Sequence, residues 1–292
     1  MKRVGIVGTG VMGRTVAAKL VEAGVAVQGY DGAPACIEQS RAAGVAMCGS
    51  LRELACATDW VMLFLPGPAE IAACVAGADG LLSAQSQGSV IIDLCTSSPE
   101  NTVAMARAAR AAGVHYLDAP VLGRPVTVGK WSLPVGGEPE VLDEVRPLLD
   151  LIAANVVHIG ESGSGHKVKL LNQLMFGAIN GMTAEMMAVA EKVGVPPARL
   201  YEVITASQAA TVSNLFKELG RRVSEDRYDD PTFTVALLAK DVRLGLEMAE
   251  SAGAPLLLGR AVDFLNKAAS AQGMGAADSA VMWQCVKNLW KA

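Results

Sequence analysis

The sequence predicts an α/β protein: a doubly wound, mostly parallel sheet in its first half, followed by an all-helical domain. Short apolar runs alternate with alanine-rich helical patterns from residue 3 to about residue 160. Those runs are continuously apolar, as strands covered on both faces are. Beyond Gly160 the strand-like runs stop and helical spacing takes over.

In order, "RVGIV" (residues 3–7) is strand-like, and residues 11–23 have helical spacing closed by Gly24, a residue suited to a helix end. "VAVQGY" (25–30) makes a second strand, ending at Asp31. Further strands are expected at "WVMLFL", "SVIIDL", "VHYLDA" and "VVHIG", separated by helical segments such as residues 101–112. "GESGSGHKVKLLNQL" opens with a glycine-serine turn and leads into about 28 residues without proline. This reads as one long helix, about residues 166–193, ending near Gly194. Pro196 and Pro197 open another helix, and Pro255 a further one. The domains expected are residues 1–161, α/β, and 162–292, all-helical. No internal repeat or low-complexity tract stands out.

Composition narrows the class. The 292 residues are 51% apolar and 18% charged, which suits a well-buried globular protein. A net charge of -4 and a pI near 5.5 argue against nucleic-acid binding through phosphates. Six cysteines without a C-x-x-C pair read as reduced, mostly buried thiols of an intracellular protein. "MKRVGIVG" imitates a signal peptide, but glycines interrupt its apolar run. No stretch approaches a membrane span. The expected location is cytoplasmic, with no membrane partner and no metal constellation.

"GTGVMG" (residues 8–13) sits between the first strand and the first helix. There the three glycines serve different ends. Gly8 permits the tight turn, Gly10 lets a pyrophosphate approach the backbone, and Gly13 lets helix pack on strand. The helix N-terminus adds unpaired N–H groups and partial positive charge. Gly8, Thr9, Gly10, Val11, Met12 and Gly13 are therefore the expected dinucleotide cradle of a Rossmann-type domain. Asp31 follows Gly13 by 18 positions, where a carboxylate accepts hydrogen bonds from a ribose diol. It would repel a 2′-phosphate, and "YDGAPA" offers no neighbouring cation, so NAD is favoured over NADP.

Four further stretches carry a resemblance. "DLCTSSP" (93–99) is similar to D-x-S-T-x-x-P, and "DAPVLGR" (118–124) to D-A-P-V-S-G-G. "GSGHKVKLLNQ" (163–173) is similar to G-x-G-x-x-x-K-x-x-N-N, and "KDVRLGL" (240–246) to K-D-L-x-L-A. With the glycine motif, these five ordered stretches resemble the β-hydroxyacid dehydrogenase family, that of 3-hydroxyisobutyrate dehydrogenase and tartronate semialdehyde reductase, over nearly the whole chain.

The resemblance implies NAD-dependent interconversion of a small anionic 3-hydroxy acid and its aldehyde or ketone, with Lys169 catalytic. Physical reasoning agrees: the hydroxyl proton needs an acceptor and the alkoxide a donor, and a lysine in the first turn of a helix has its ammonium form disfavoured. Asn172 lies one turn beyond on the same face and would hold the lysine or the substrate. The resemblance also implies that Leu65, Pro66 and Thr96 lie beside the cofactor. Lys240 would close over it, oriented by Asp241 unless that aspartate is simply an exposed helix residue. His166 is the alternative base, but with no acidic partner identifiable in sequence it reads as a supporting group. His115 and His158 read as core or surface groups.

The chain departs from the pattern at Cys95 for serine, at Gln173 for the second asparagine, and in the substrate loop. There Leu122, Gly123 and Arg124 stand for a serine and two glycines, and Pro125 offers no N–H. Arg124 suits a carboxylate, sulfonate or phosphate, with a solvent-facing cation the alternative. Two rival functions remain: an imine reductase-like oxidoreductase, which Lys169 disfavours, and a non-catalytic NAD-binding scaffold. A 6-phosphogluconate dehydrogenase is discounted because its helical domain is much larger. The resemblance implies a homodimer or homotetramer, and Met182, Met186, Met187 and Val189 would pack either between subunits or within one.

Overall fold

The computed structural model describes residues 2–206, 213–254 and 256–290. In chain order the first part contains β1 (Val4–Val7), α1 (Val11–Glu22), β2 (Val27–Tyr30), α2 (Pro34–Ala42), β3 (Ala46–Met47), α3 (Leu51–Ala57) and β4 (Trp60–Leu63). It continues with α4 (Pro68–Ala76), β5 (Val90–Asp93), α5 (Pro99–Ala111), β6 (His115–Asp118), β7 (Trp131–Gly136), α6 (Pro139–Leu149) and β8 (Ala153–Gly160). Helices follow: α7 (Ser164–Lys192), α8 (Pro197–Ala206), α9 (Asn214–Ser224), α10 (Val235–Ser251), α11 (Leu257–Ala271) and α12 (Met282–Leu289). The helix expected to start at Pro255 has that residue outside the described ones.

The strand order is β3-β2-β1-β4-β5-β6-β7-β8. Strands β1 to β6 pair in parallel, β7 is antiparallel to β6, and β8 is parallel to β7. The expected doubly wound, mostly parallel sheet is therefore present. Side-chain alternation divides its core between two faces. Val4, Ile6, Met62, Ile92 and Leu117 pack with α1 and α6. Val7, Val61, Leu63, Ile91 and Tyr116 pack with α3, α4 and α5. Proline opens α2, α4, α5 and α6, where its missing N–H has no intrahelical partner to lose.

Two strands were absent from the sequence expectation. β3 pairs only two residues. β7 contains Pro134, which argues against a strand inside a sheet. Its position explains the exception. Ser132 exchanges both backbone hydrogen bonds with Leu122, so Pro134, two residues on, turns its nitrogen to that same side. On that side β7 meets β6 only at Gly136 opposite Asp118, while the other edge carries the ladder to β8.

Contacts divide the chain into a unit of Met1–Lys169 and a unit of Leu170–Ala292, the division falling within α7. The second unit is helical throughout its described residues apart from short turns and one isolated bridge. Met187 is buried in its core beside Leu219, Val235 and Met282. Met182, Met186 and Val189 are exposed on α7. None of the cysteines is disulfide-bonded, but the expectation of mostly buried thiols needs correction. Only Cys95 and Cys285 are buried; Cys36, Cys48 and Cys74 are half-buried and Cys56 is exposed, because α2, α3 and α4 have one face in water and Cys48 lies in the loop after β3. Among the described residues no helix is long and apolar enough to cross a membrane.

The N-terminal edge of the sheet is tied by Arg3 and Asp59, which precede β1 and β4. Asp59 accepts from the Arg3 backbone N–H at 2.9 Å and from its guanidinium at 2.9 and 3.2 Å. These bonds hold its carboxyl down at about 2. A depressed carboxyl contributes stability above its unfolded value near 3.8 and loses it as pH falls through the folded value. The pair is largely solvated, so the contribution is at most about 1 kcal/mol. Urea titrations of the parent and Asp59→Asn should differ by that amount at pH 6 and converge as pH falls toward 2.

Candidate active site

The parallel strands β1, β4, β5 and β6 deliver Gly8, Leu65, Cys95 and Val121 to one edge of the sheet, at their carboxyl ends. Between β1 and β4 the chain order reverses, the place where open α/β sheets bind ligands.

The glycines of the first turn differ in what they meet. Gly8 has φ +86°, and a Cβ there would lie 2.2 Å from the Phe64 carbonyl oxygen. A Cβ on Gly13 would lie 1.9 Å from the Gly8 carbonyl oxygen. Both are demanded by the protein's own packing. Gly10, the N-cap of α1, has nothing within 4 Å of that position. Its open side, beside first-turn N–H groups that no intrahelical carbonyl reaches, fits a dinucleotide pyrophosphate. Asp31 accepts from Thr9 N–H at 2.6 Å and from Ala33 N–H at 2.8 Å, which fixes its carboxylate at the end of β2. A carboxylate has about four acceptor sites, so two such bonds leave capacity for a diol. Val11 is exposed and Met12 half-buried.

A hydrogen-bonded path leads from the β4 end to the lysine. Leu65 N–H donates to Cys95 Sγ at 3.0 Å. The Cys95 carbonyl faces His166 Nε2 at 3.2 Å, and His166 Nδ1 lies 2.7 Å from Thr102 Oγ1. A carbonyl only accepts, so the Cys95 contact calls for a proton on Nε2, while the Thr102 hydroxyl at Nδ1 also bonds the Ser98 carbonyl at 3.0 Å. Fully buried, His166 joins the end of β5 to α5 and α7. Pro66 is exposed and Thr96 half-buried beside these groups.

Sequence reasoning missed the residue that places this helix. Asp118 ends β6 with no solvent exposure, accepting from Gly163 N–H at 2.8 Å and His166 N–H at 2.9 Å. Its carboxylate is also 3.7 Å from His166 Nδ1, an acidic neighbour not recognisable in sequence. Burial raises its pKa against the lowering effects of His166 and the two N–H donors. Gly165 is forced by the same docking: a Cβ there would sit 2.4 Å from the Pro134 carbonyl oxygen. Three residues after His166, in the second turn of α7 and not the first as expected because the helix starts at Ser164, the half-buried Lys169 donates from Nζ to the Val121 carbonyl at 2.8 Å. That carbonyl immediately precedes Leu122, Gly123 and Arg124. The position of Asp118 in the "DAP" stretch was the available signal.

In the second unit, Gln173 is buried and donates from Nε2 to Asp241 Oδ2 at 2.6 Å. Asp241 Oδ1 lies 2.8 Å from Lys240 Nζ, and Asn172 Nδ2 donates to Gln173 Oε1 at 3.3 Å. Asp241 is thus a buried partner of Lys240, not an exposed helix aspartate. His115 is paired with Glu138, and His158 faces the Gly137 carbonyl. No cluster of His, Cys, Asp or Glu among the described residues is arranged to hold a metal.

Asp118→Asn removes the second acceptor oxygen while keeping the shape, so the new amide N–H₂ confronts the Gly163 or the His166 N–H. An unsatisfied buried donor costs about 1–3 kcal/mol. Urea denaturation at pH 7 should show a lower midpoint corresponding to that loss, with an unchanged slope.

Comparison with known proteins agrees with this layout. Residues 3–160 match the NAD binding domain of 6-phosphogluconate dehydrogenase, and residues 163–286 the NAD-binding domain of NADP-dependent 3-hydroxyisobutyrate dehydrogenase. The chain is 30% identical over 278 residues to 2-(hydroxymethyl)glutarate dehydrogenase of Eubacterium barkeri, covering 94% of this chain and 92% of that protein. It is 31% identical over 284 residues to L-threonate dehydrogenase of Cupriavidus necator, covering 96% and 95%. The crystal structure of 3-hydroxyisobutyrate dehydrogenase from Salmonella typhimurium superposes with a TM-score of 0.90 at 28% identity, covering 97% of this chain and 99% of that one. Matched in both halves and at full length, the chain belongs to the 3-hydroxyisobutyrate dehydrogenase family of NAD(P)-dependent hydroxyacid oxidoreductases.

Proposed function

We propose that this protein interconverts a small anionic 3-hydroxy acid and its aldehyde or ketone, with NAD as the favoured cofactor and Lys169 as general acid and base. One observation carries the reading: the Lys169 ammonium stands 2.8 Å from the Val121 carbonyl, on the strand edge that also carries the glycine turn and next to the Leu122–Arg124 stretch. Bound nicotinamide dinucleotide supplies the hydride acceptor or donor. In oxidation, neutral Lys169 takes the hydroxyl proton from the substrate oxygen as hydride leaves the adjoining carbon. In reduction, its ammonium returns that proton to the developing alkoxide.

Gly8, Thr9, Gly10, Val11, Met12 and Gly13 hold the pyrophosphate in this reading, and Leu65, Pro66, Thr96 and Lys240 complete the cofactor contacts. Asn172 and Gln173 support the substrate side, and Arg124 takes the acidic group. The anchored Asp31 carboxylate supports NAD, since a 2′-phosphate would bring two anions together.

Replacing Lys169 with methionine should lower kcat about 10²- to 10⁴-fold while NADH still binds by fluorescence titration. Turnover near the parental rate with a folded, NADH-binding variant would remove Lys169 from the reaction. In a separate experiment, Asp31→Asn should move the ratio of kcat/KM values for NAD⁺ and NADP⁺ toward NADP⁺ by about tenfold or more.

A further inference from the structure

The loop after β6 engages its own backbone donors. Leu122 N–H donates to the Ser132 carbonyl at 2.9 Å, and Ser132 N–H returns to Leu122 at 3.2 Å. Arg124 N–H donates to Thr127 Oγ1 at 3.2 Å, and Pro125 has no N–H. Of the four residues, only Gly123 keeps a backbone donor that the hairpin does not use. A nest that grips an anion needs several convergent N–H groups. An acidic substrate group meeting this loop is therefore recognised through side-chain charge, and Arg124 is the cation of "LGRPVTV".

The backbone of Arg124 is fixed from below. Trp131 is fully buried, and its Nε1–H donates to the Arg124 carbonyl at 2.8 Å. The same oxygen accepts from Thr127 N–H at 2.9 Å and from Thr127 Oγ1 at 3.0 Å. Gly123 lies directly on the indole, where a Cβ would come within 2.1 Å of Trp131 Cδ1. The loop is a braced hairpin resting on one aromatic ring.

We propose that Trp131 is the positioning residue for anion recognition, holding residues 122–127 so that Arg124 presents its guanidinium to the acidic group of the substrate. The proposal rests on the dehydrogenase reading and adds a specificity determinant that does not itself touch the substrate. Arginine favours planar, bidentate acceptors, so the substrate class is a 3-hydroxy carboxylate and not an uncharged alcohol.

The test is a double-mutant cycle between Trp131→Phe and Arg124→Ala. NAD-linked steady-state kinetics are read on 3-hydroxypropanoate and on its uncharged methyl ester, and thermal melts check folding. Phenylalanine keeps an aromatic ring under the loop and removes the Nε1–H bond. The expected result is a three- to tenfold rise in KM for the carboxylate, with kcat and the KM for NAD⁺ within about twofold. In the Arg124→Ala background that rise should vanish. Gly123→Ala, whose Cβ would press against the Trp131 ring and part it from the loop, should raise the same KM. Equal losses on acid and ester, or a full-sized Trp131→Phe effect without Arg124, would leave Trp131 a packing residue only and overturn the proposal. A parent with no NAD-linked turnover on any hydroxy acid would instead defeat the dehydrogenase reading. Calorimetric titration of 3-hydroxypropanoate onto the parent and Trp131→Phe would then decide the brace alone, equal affinities refuting it.

Discussion

The Asp118 carboxylate, buried at the end of β6 against the first turn of α7, is the contact on which the geometry of the site hangs. Burying an ionised carboxylate costs several kcal/mol even after relaxation. Against that stand two hydrogen bonds to a charged acceptor, roughly 1.5–3 kcal/mol each, and the positive end of a helix, up to about 2 kcal/mol. The terms are comparable, and burial is the largest cause of the upward shift of this carboxyl. The consequence is positional. With Gly165 packed against the Asp118 and Pro134 carbonyls, the first turn of α7 has one rotational setting. His166 then reaches the β5 end, and Lys169 reaches the Val121 carbonyl.

The glycine turn and the loop after β6, the cofactor and substrate sides of the proposed reading, are specified by different means. Around Gly8, Gly10 and Gly13 the specification is mostly the absence of side chains: two glycines are forced by close backbone contacts, and the third faces open space. Such a cradle is built from main chain and tolerates change poorly. In the loop from Leu122 to Thr127 the backbone donors are largely engaged within the loop, which in the proposed reading leaves recognition to side chains. That division allows one scaffold to keep its dinucleotide while its substrate changes.

The first of these was legible in the sequence, and the second was not. "GTGVMG" and Asp31 announce themselves because a strand–turn–helix crossing requires those residue types at that spacing, and Asp31 is indeed anchored beside Thr9. The long proline-free run likewise gave α7 to within two residues at its start. By contrast, Leu65 meets Cys95 across 30 residues, and Asp118 meets Gly163 across 45. Periodicity carries no information about such pairs. β7 escaped because Pro134 carries the usual sign of a non-strand residue, and only the sparse pairing on its β6 side makes that proline harmless. With β7 unseen, Trp131 could not be placed under the loop, and Arg124 remained a bare charge.

Buried carboxylates organise both units, but the two lysines singled out by the family pattern are treated differently. In the second unit Asp241 is 2% exposed and faces Lys240 Nζ directly at 2.8 Å, with the Gln173 amide on its other oxygen. That ion pair ties the Lys240 side chain to the helix that carries both residues. In the first unit Asp118 acts one turn earlier, through backbone N–H groups, and Lys169 donates to the neutral Val121 carbonyl. The same residue type thus meets an ammonium directly in one unit and, in the other, the backbone of the helix that carries the lysine.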